Sequence, residues 1–121
     1  MSDAYQHYID GEWRDSNGDS FTSENPATGE TLGRFQRATD EEADRAVSAA
    51  ETAFEEWRSL SRIDRAEYLW DIYHELRDRH EELGRAVTRE CGKEISEGKA
   101  DVTEAWHMVE WAAGDARHPK G

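Results

Sequence analysis

Apolar and polar residues alternate loosely from Gln6 to Trp13, and Asp15-Ser16-Asn17-Gly18-Asp19 then supplies turn formers before Phe21 opens a second short extended piece. The pattern predicts a β-hairpin across Asp15–Asp19. Asn25-Pro26 interrupts the second piece, Thr28-Gly29 makes another turn, and Thr31 to Phe35 gives a further short strand, so two or three strands come first.

The period changes at Thr39. Thr39-Asp40-Glu41-Glu42 has the hydroxyl-then-carboxylate spacing that satisfies orphan amides at a helix start. A helix is predicted from about Asp40 to Trp57, with Ala43, Ala46, Val47, Ala50, Ala53, Phe54 and Trp57 as its apolar stripe. Small residues along that stripe permit close packing.

Ser61-Arg62-Ile63-Asp64 repeats the cap pattern, and Ile63, Ala66, Leu69, Trp70, Tyr73, Leu76 and His80 share one side of the next helix. A break near Asp78 to His80 divides this stretch in two. Leu83, Ala86 and Val87 continue helically to Gly92, a left-handed stop. Ser96 is the expected cap of a last helix whose Val102, Ala105, Trp106, Val109, Ala112, Ala113 and Ala116 mark one face before Pro119, and Gly98 weakens its first turns.

With no internal repeat and no low-complexity linker, the reading is α+β. An N-terminal hairpin and a short strand over residues 1–38 precede about four helices over residues 39–121, all in one domain.

Composition narrows the functional classes. Of 121 residues, 36% are hydrophobic and 36% charged, so deep burial falls to five Trp, four Tyr, three Phe and the aliphatic positions. The formal net charge of −13 argues against nucleic acid or an anionic membrane surface as a partner, because both would be repelled. Lysine appears only at Lys93, Lys99 and Lys120 among 15 basic residues, and acids are spread throughout, a pattern that resembles salt-adapted proteins. Molar salt would relieve the self-repulsion, since the Debye length falls to ~3 Å at 1 M. A single cysteine, Cys91, excludes an internal disulfide and suits a reducing interior. With no basic leader at Met1-Ser2-Asp3 and no apolar run near the ~20 residues that span a bilayer, the expectation is a soluble, cytoplasmic protein.

Cys91 lies in Glu90-Cys91-Gly92-Lys93 at a predicted helix C-terminus, where the partial negative charge disfavours a thiolate, and no histidine is near in sequence to act as base. It reads as a structural or incidental thiol. Glu104-Ala105-Trp106-His107 has the spacing of one half of a di-iron ligand set, but its echoes, Asp71 with His74 and Asp115 with His118, are looser. Runs such as Asp40-Glu41-Glu42 and Glu81-Glu82 read as solvated helix starts. No glycine pattern of a phosphate cradle occurs.

Tyr8-Ile9-Asp10-Gly11-Glu12-Trp13, Asn25-Pro26-Ala27-Thr28-Gly29-Glu30, the Phe54 and Trp57 helix end, Arg62 and Arg65, Glu90 with Gly92-Lys93, and the stretch from Ala105 to Gly114 follow in one order and spacing. Over about residues 8–116 this resembles the opening portion of an aldehyde dehydrogenase. The resemblance implies part of an α/β coenzyme-binding domain. It implies NAD or NADP, an aldehyde substrate and a homo-oligomer for the full-length family, with oxidation to a carboxylic acid through a thiolate, hydride transfer and a glutamate base. None of those catalytic or coenzyme-binding residues is in this stretch, so the chain alone is expected to bind no coenzyme and to be inactive. Cys91 stands where many relatives have a threonine. The family's structural monovalent cation, carried over by position, would involve Ser23, Glu24 and Asp101, with Glu24 replacing a residue that is usually apolar. Trp106, Val109 and Trp111 fall near the family's substrate route or in its core, and the Ala116-Arg117-His118-Pro119 ending hints at semialdehyde-type relatives. The competing reading is a free-standing acidic helical module that docks a protein partner through Trp57, Trp70 and Trp111.

Overall fold

A computed structural model of the chain describes residues 4–119. The first strands, β1 (His7–Ile9) and β2 (Glu12–Arg14), pair antiparallel with Tyr8 opposite Trp13. Asp10 and Gly11 turn the chain between them at φ of 55° and 76°. A two-residue turn with both φ positive matches the twist of flanking strands, and Asp-Gly is a favoured pair for it. The hairpin expected across Asp15–Asp19 is corrected accordingly: the run from Gln6 to Trp13 is itself folded in half. The Tyr8 and Trp13 rings meet at 5.0 Å.

A second antiparallel pair joins β3 (Ser20–Glu24) to β4 (Thr31–Gln36), with Phe21 opposite Phe35 and a register shift between Ser23 and Glu24. Asn25–Gly29 therefore links two strands. Gly29 N–H donates to the Asn25 carbonyl and Asn25 N–H to the Glu30 carbonyl, each at 2.8 Å. Tyr5 extends this sheet's apolar face, its ring stacking on Phe35 at 5.0 Å.

Four helices follow, as the periodicity predicts. α1 (Asp40–Ser59) starts on a reciprocal cap, in which Thr39 N–H donates to Glu42 Oε2 at 2.8 Å and Glu42 N–H to Thr39 Oγ1 at 3.3 Å. α2 (Arg62–Asp78) is capped by Ser61, whose hydroxyl oxygen accepts from Asp64 N–H at 3.1 Å. α3 (His80–Cys91) stops at Gly92 with φ of 68°. α4 (Ile95–Ala116) begins one residue after Glu94, so the expected Ser96 cap is corrected. Glu94 is the extended residue there, and its carbonyl accepts from Glu97 and Gly98 N–H at 3.1 and 3.0 Å. Ser96 lies inside the first turn.

The chain forms two compact units. One takes the chain through residue 25 and again from 29 to 58; the other takes residues 26–28 and the chain from 59 onward. In the second unit α2 and α3 both pack on α4. Among the described residues the buried apolar side chains are Ala66, Val102 and Ala113, and no large side chain is fully enclosed. In the first unit α1 buries only Glu42, and every residue of its apolar stripe is exposed. No helix among the described residues is long and apolar enough to cross a membrane.

Candidate functional site

Pro26–Thr28 and the end of α3, both singled out in the sequence, meet inside the second unit. Gly92 lies against Pro26 and Ala27 so closely that a β-carbon on it would stand 2.9 Å from both Ala27 N and Pro26 Cγ. Glycine is required twice over here, by the positive φ and by the contact. Lys93, the next residue, donates to Asp101 Oδ2 at 2.6 Å, and that hydrogen bond, reinforced by charge, raises the lysine pKa above its ordinary value. The pair fixes the entry of α4.

A close crossing of α3 and α4 follows. A β-carbon on Gly98 would stand 2.5 Å from Thr88 Oγ1 and 2.6 Å from the Gly84 carbonyl oxygen, and one on Gly84 would meet Lys99 Cα at 3.2 Å. The Lys99 stem covers Gly84 while its ammonium pairs with Glu81 at 2.5 Å, and this hydrogen bond holds the Glu81 carboxyl below its usual range. His80 Nε2 lies 2.9 Å from the Lys99 carbonyl oxygen. A carbonyl only accepts, so Nε2 carries the proton. The imidazole meets the edge of Trp106 at 5.0 Å, and Arg77 stands 5.9 Å from the same indole.

Arg62 and Arg65 act as struts. Arg62 Nε donates to the Arg117 carbonyl at the end of α4, and Arg65 Nη1 to the Leu60 carbonyl, each at 3.0 Å. Cations at carbonyl ends of helices are favoured there.

The other candidates are distributed as follows. Ser23 and Glu24 sit at the register shift of β3 in the first unit, and Asp101 lies on α4 in the second. Cys91 is an exposed free thiol at the end of α3, roughly 16 Å along the helix from His80. Glu104 and His107 approach only to 3.9 Å, and no group of three His, Cys, Asp or Glu side chains poised to hold a metal occurs among the described residues. Trp106 and Val109 are half-buried whereas Trp111 is exposed, so the stripe that the sequence grouped together is split between two environments.

The Asp40-Glu41-Glu42 run needs correction at one position. Glu42 is buried, not solvated: besides the Thr39 cap it accepts from the Ser16 hydroxyl at 2.6 Å and the Asn17 N–H at 3.1 Å. Those hydrogen bonds, Ser16 first, lower its pKa from 4.5 to about 2. The Ser16-Asn17-Gly18 turn was the signal, since its donors require an acceptor. These contacts brace strands and helices within each unit, and among the described residues they bring together no nucleophile with a base.

Residues 13–121 match the Aldehyde dehydrogenase family. The chain is 38% identical over 110 residues to malonate-semialdehyde dehydrogenase 1 of Geobacillus kaustophilus, covering 90% of this chain and 22% of that one. It is 35% identical over 117 residues to glutarate-semialdehyde dehydrogenase of Pseudomonas putida, covering 96% and 24%. A solved aldehyde dehydrogenase variant from Pseudomonas syringae, complexed with NAD+ and octanal, superposes with a TM-score of 0.92 at 32% identity, over 98% of this chain and 25% of that one. The chain thus spans about a quarter of the length of these relatives. On this evidence it belongs to the aldehyde dehydrogenase family.

Proposed function

We propose that the chain is the N-terminal structural portion of an NAD(P)-dependent aldehyde dehydrogenase, which as a complete enzyme oxidises an aldehyde to a carboxylic acid. The nucleophilic cysteine, the general base and the coenzyme site belong to the remaining polypeptide. The observation that carries this reading is the mismatch between surface and core: among the described residues thirteen large hydrophobic side chains are exposed, while the buried apolar residues are only Ala66, Val102 and Ala113. Exposed apolar side chains in that number support a chain that packs against further polypeptide. Coverage of about a quarter of the relatives' length supports the same view.

In the complete enzyme the coenzyme would be NAD or NADP, supported by the NAD+ complex of the Pseudomonas syringae relative. The semialdehyde relatives support a substrate that carries a carboxylate as well as the aldehyde, and a homo-oligomer is proposed. The donor chemistry of Ser23, Glu24 and Asp101, all hard oxygens, fits a structural alkali cation. A salt-rich cytoplasm is the proposed setting, supported by the net charge of −13 and the lone cysteine.

The test is coenzyme reduction followed at 340 nm with a panel of semialdehydes. The isolated chain should show no rate above its Cys91→Ala variant, and a polypeptide that continues it with the rest of a dehydrogenase should turn over. Turnover by the isolated chain above that variant would overturn the reading.

A further inference from the structure

We infer that the recess between the start of α2 and the end of α4 binds a small oxyanion, a carboxylate or phosphate group. Arg62, Arg65, Ala116, His118 and Pro119 line it around a volume of about 450 Å³. All five residues belong to the second unit. In a chain of net charge −13, this recess brings two guanidinium groups and an imidazole together, and no carboxylate lines it. The local sign of charge is reversed.

The fold holds these donors in place without neutralising them. Arg62 and Arg65 stand three residues apart in the first turn of α2, a spacing that sets both side chains on one helix face. Arg62 is anchored through Nε on the Arg117 carbonyl and Arg65 through Nη1 on the Leu60 carbonyl, each at 3.0 Å. A carbonyl carries no net charge, so both cations keep theirs. The two Nη groups of Arg62 and the His118 ring have no hydrogen-bond partner among the described residues. Two nearby acids are engaged elsewhere: Asp64 accepts from the Ser61 hydroxyl at 2.8 Å, and Glu67 pairs with Arg117 at 3.6 Å. A guanidinium presents parallel N–H groups to the paired oxygens of a carboxylate or phosphate, and such charge-assisted bonds are among the strong ones. A neutral imidazole adds one more N–H donor. Ala116 and Pro119 complete the lining with an apolar wall for the body of the ligand. A metal cation would find no carboxylate there, which leaves an anion as the occupant.

The experiment titrates the 121-residue chain with malonate and, separately, with inorganic phosphate, at an ionic strength held constant with KCl. Calorimetry reads the affinity, and nuclear magnetic resonance of the His118 ring and the Arg62 Nε–H reads the place. Saturable binding is expected with a Kd on the order of 1 mM or tighter, together with shifts of those two signals. Arg62→Gln should weaken binding about tenfold, and Arg62→Lys nearly as much, because an ammonium keeps the charge but loses the fork. Since Arg62→Gln also removes the bond to Arg117, His118→Ala is the second variant: its ring makes no hydrogen bond among the described residues, and its loss should cost about threefold. Arg85→Gln, which removes an exposed cation of α3 outside the recess, should bind as the parent does. Saturation by malonate alone assigns the ligand group as a carboxylate and by phosphate alone as a phosphate; either outcome supports the site. Heats no greater than those of KCl overturn it, as does binding that survives both Arg62→Gln and His118→Ala or that leaves the His118 and Arg62 signals unmoved.

Discussion

Gly98 and Gly84 stand where two helices nearly touch, a β-carbon on Gly98 falling 2.6 Å from the Gly84 carbonyl oxygen. Because that obstacle is backbone, it cannot swing aside as a side-chain tip would. Gly98→Ala should therefore destabilise the second unit by about 1–3 kcal/mol as α3 and α4 are pushed apart. Gly114→Ala is the matched comparison, since a β-carbon there meets nothing within 4 Å in the same helix. It should stabilise by about 0.5–1 kcal/mol through helix propensity. Urea titrations followed by circular dichroism read both.

Gly92 and Gly29 separate two costs that glycine avoids. Both have positive φ, 68° and 74°, but only Gly92 is pressed against neighbours. Gly29→Ala should cost about 1–2 kcal/mol for the left-handed conformation alone. Gly92→Ala should cost more, and its circular dichroism should show a loosened α3 end. Equal losses at the two positions would remove the argument that Pro26 and Ala27 dock on Gly92.

Acid should act on Glu42. Its pKa is lowered from 4.5 to about 2 in the folded chain, so its hydrogen bonds contribute stability above pH 4.5, and that contribution disappears as pH falls from 4.5 toward 2. Glu42→Gln removes this sensitivity. The variant should melt lower than the parent at neutral pH, and the difference should shrink across that acid window. A constant difference from pH 7 to pH 2 would contradict the assignment.

Salt should stabilise the chain. The Glu12–Arg14, Glu55–Arg58 and Arg79–Glu82 ion pairs are exposed and contribute little each, while the net charge of −13 opposes compaction. The melting temperature should climb as KCl is raised from millimolar to molar. Full helicity and an unchanged melting point at low salt would defeat the proposal of a salt-rich setting.

The helices were legible because their ends are local chemistry. Thr39 and Ser61 carry their caps in sequence, Gly92 supplies its own stop, and the α2–α3 break at Arg79 falls inside the expected window. The strands were harder, since Asp10-Gly11 lies in the middle of an alternating run and a turn there exchanges every pairing partner. Glu42 was misread for a different reason: its donors, Ser16 and Asn17, come from more than twenty residues earlier. Gly98 looked like a weakness in a helix, and only the approach of α3 shows why a side chain is excluded. Of the site, the Pro26 turn and the Gly92 stop were each visible, but their contact was not, because nothing local couples them.

The scarcity of enclosed apolar side chains has a practical corollary. With Trp111 at 68%, Trp13 at 66% and Met108 at 63% exposure, the folded chain already offers the greasy surface that environment-sensitive fluorescent dyes normally find only after melting. Such a dye should glow on the native chain and brighten little on heating. Far-ultraviolet ellipticity, which follows the helices themselves, is the appropriate thermometer for this molecule.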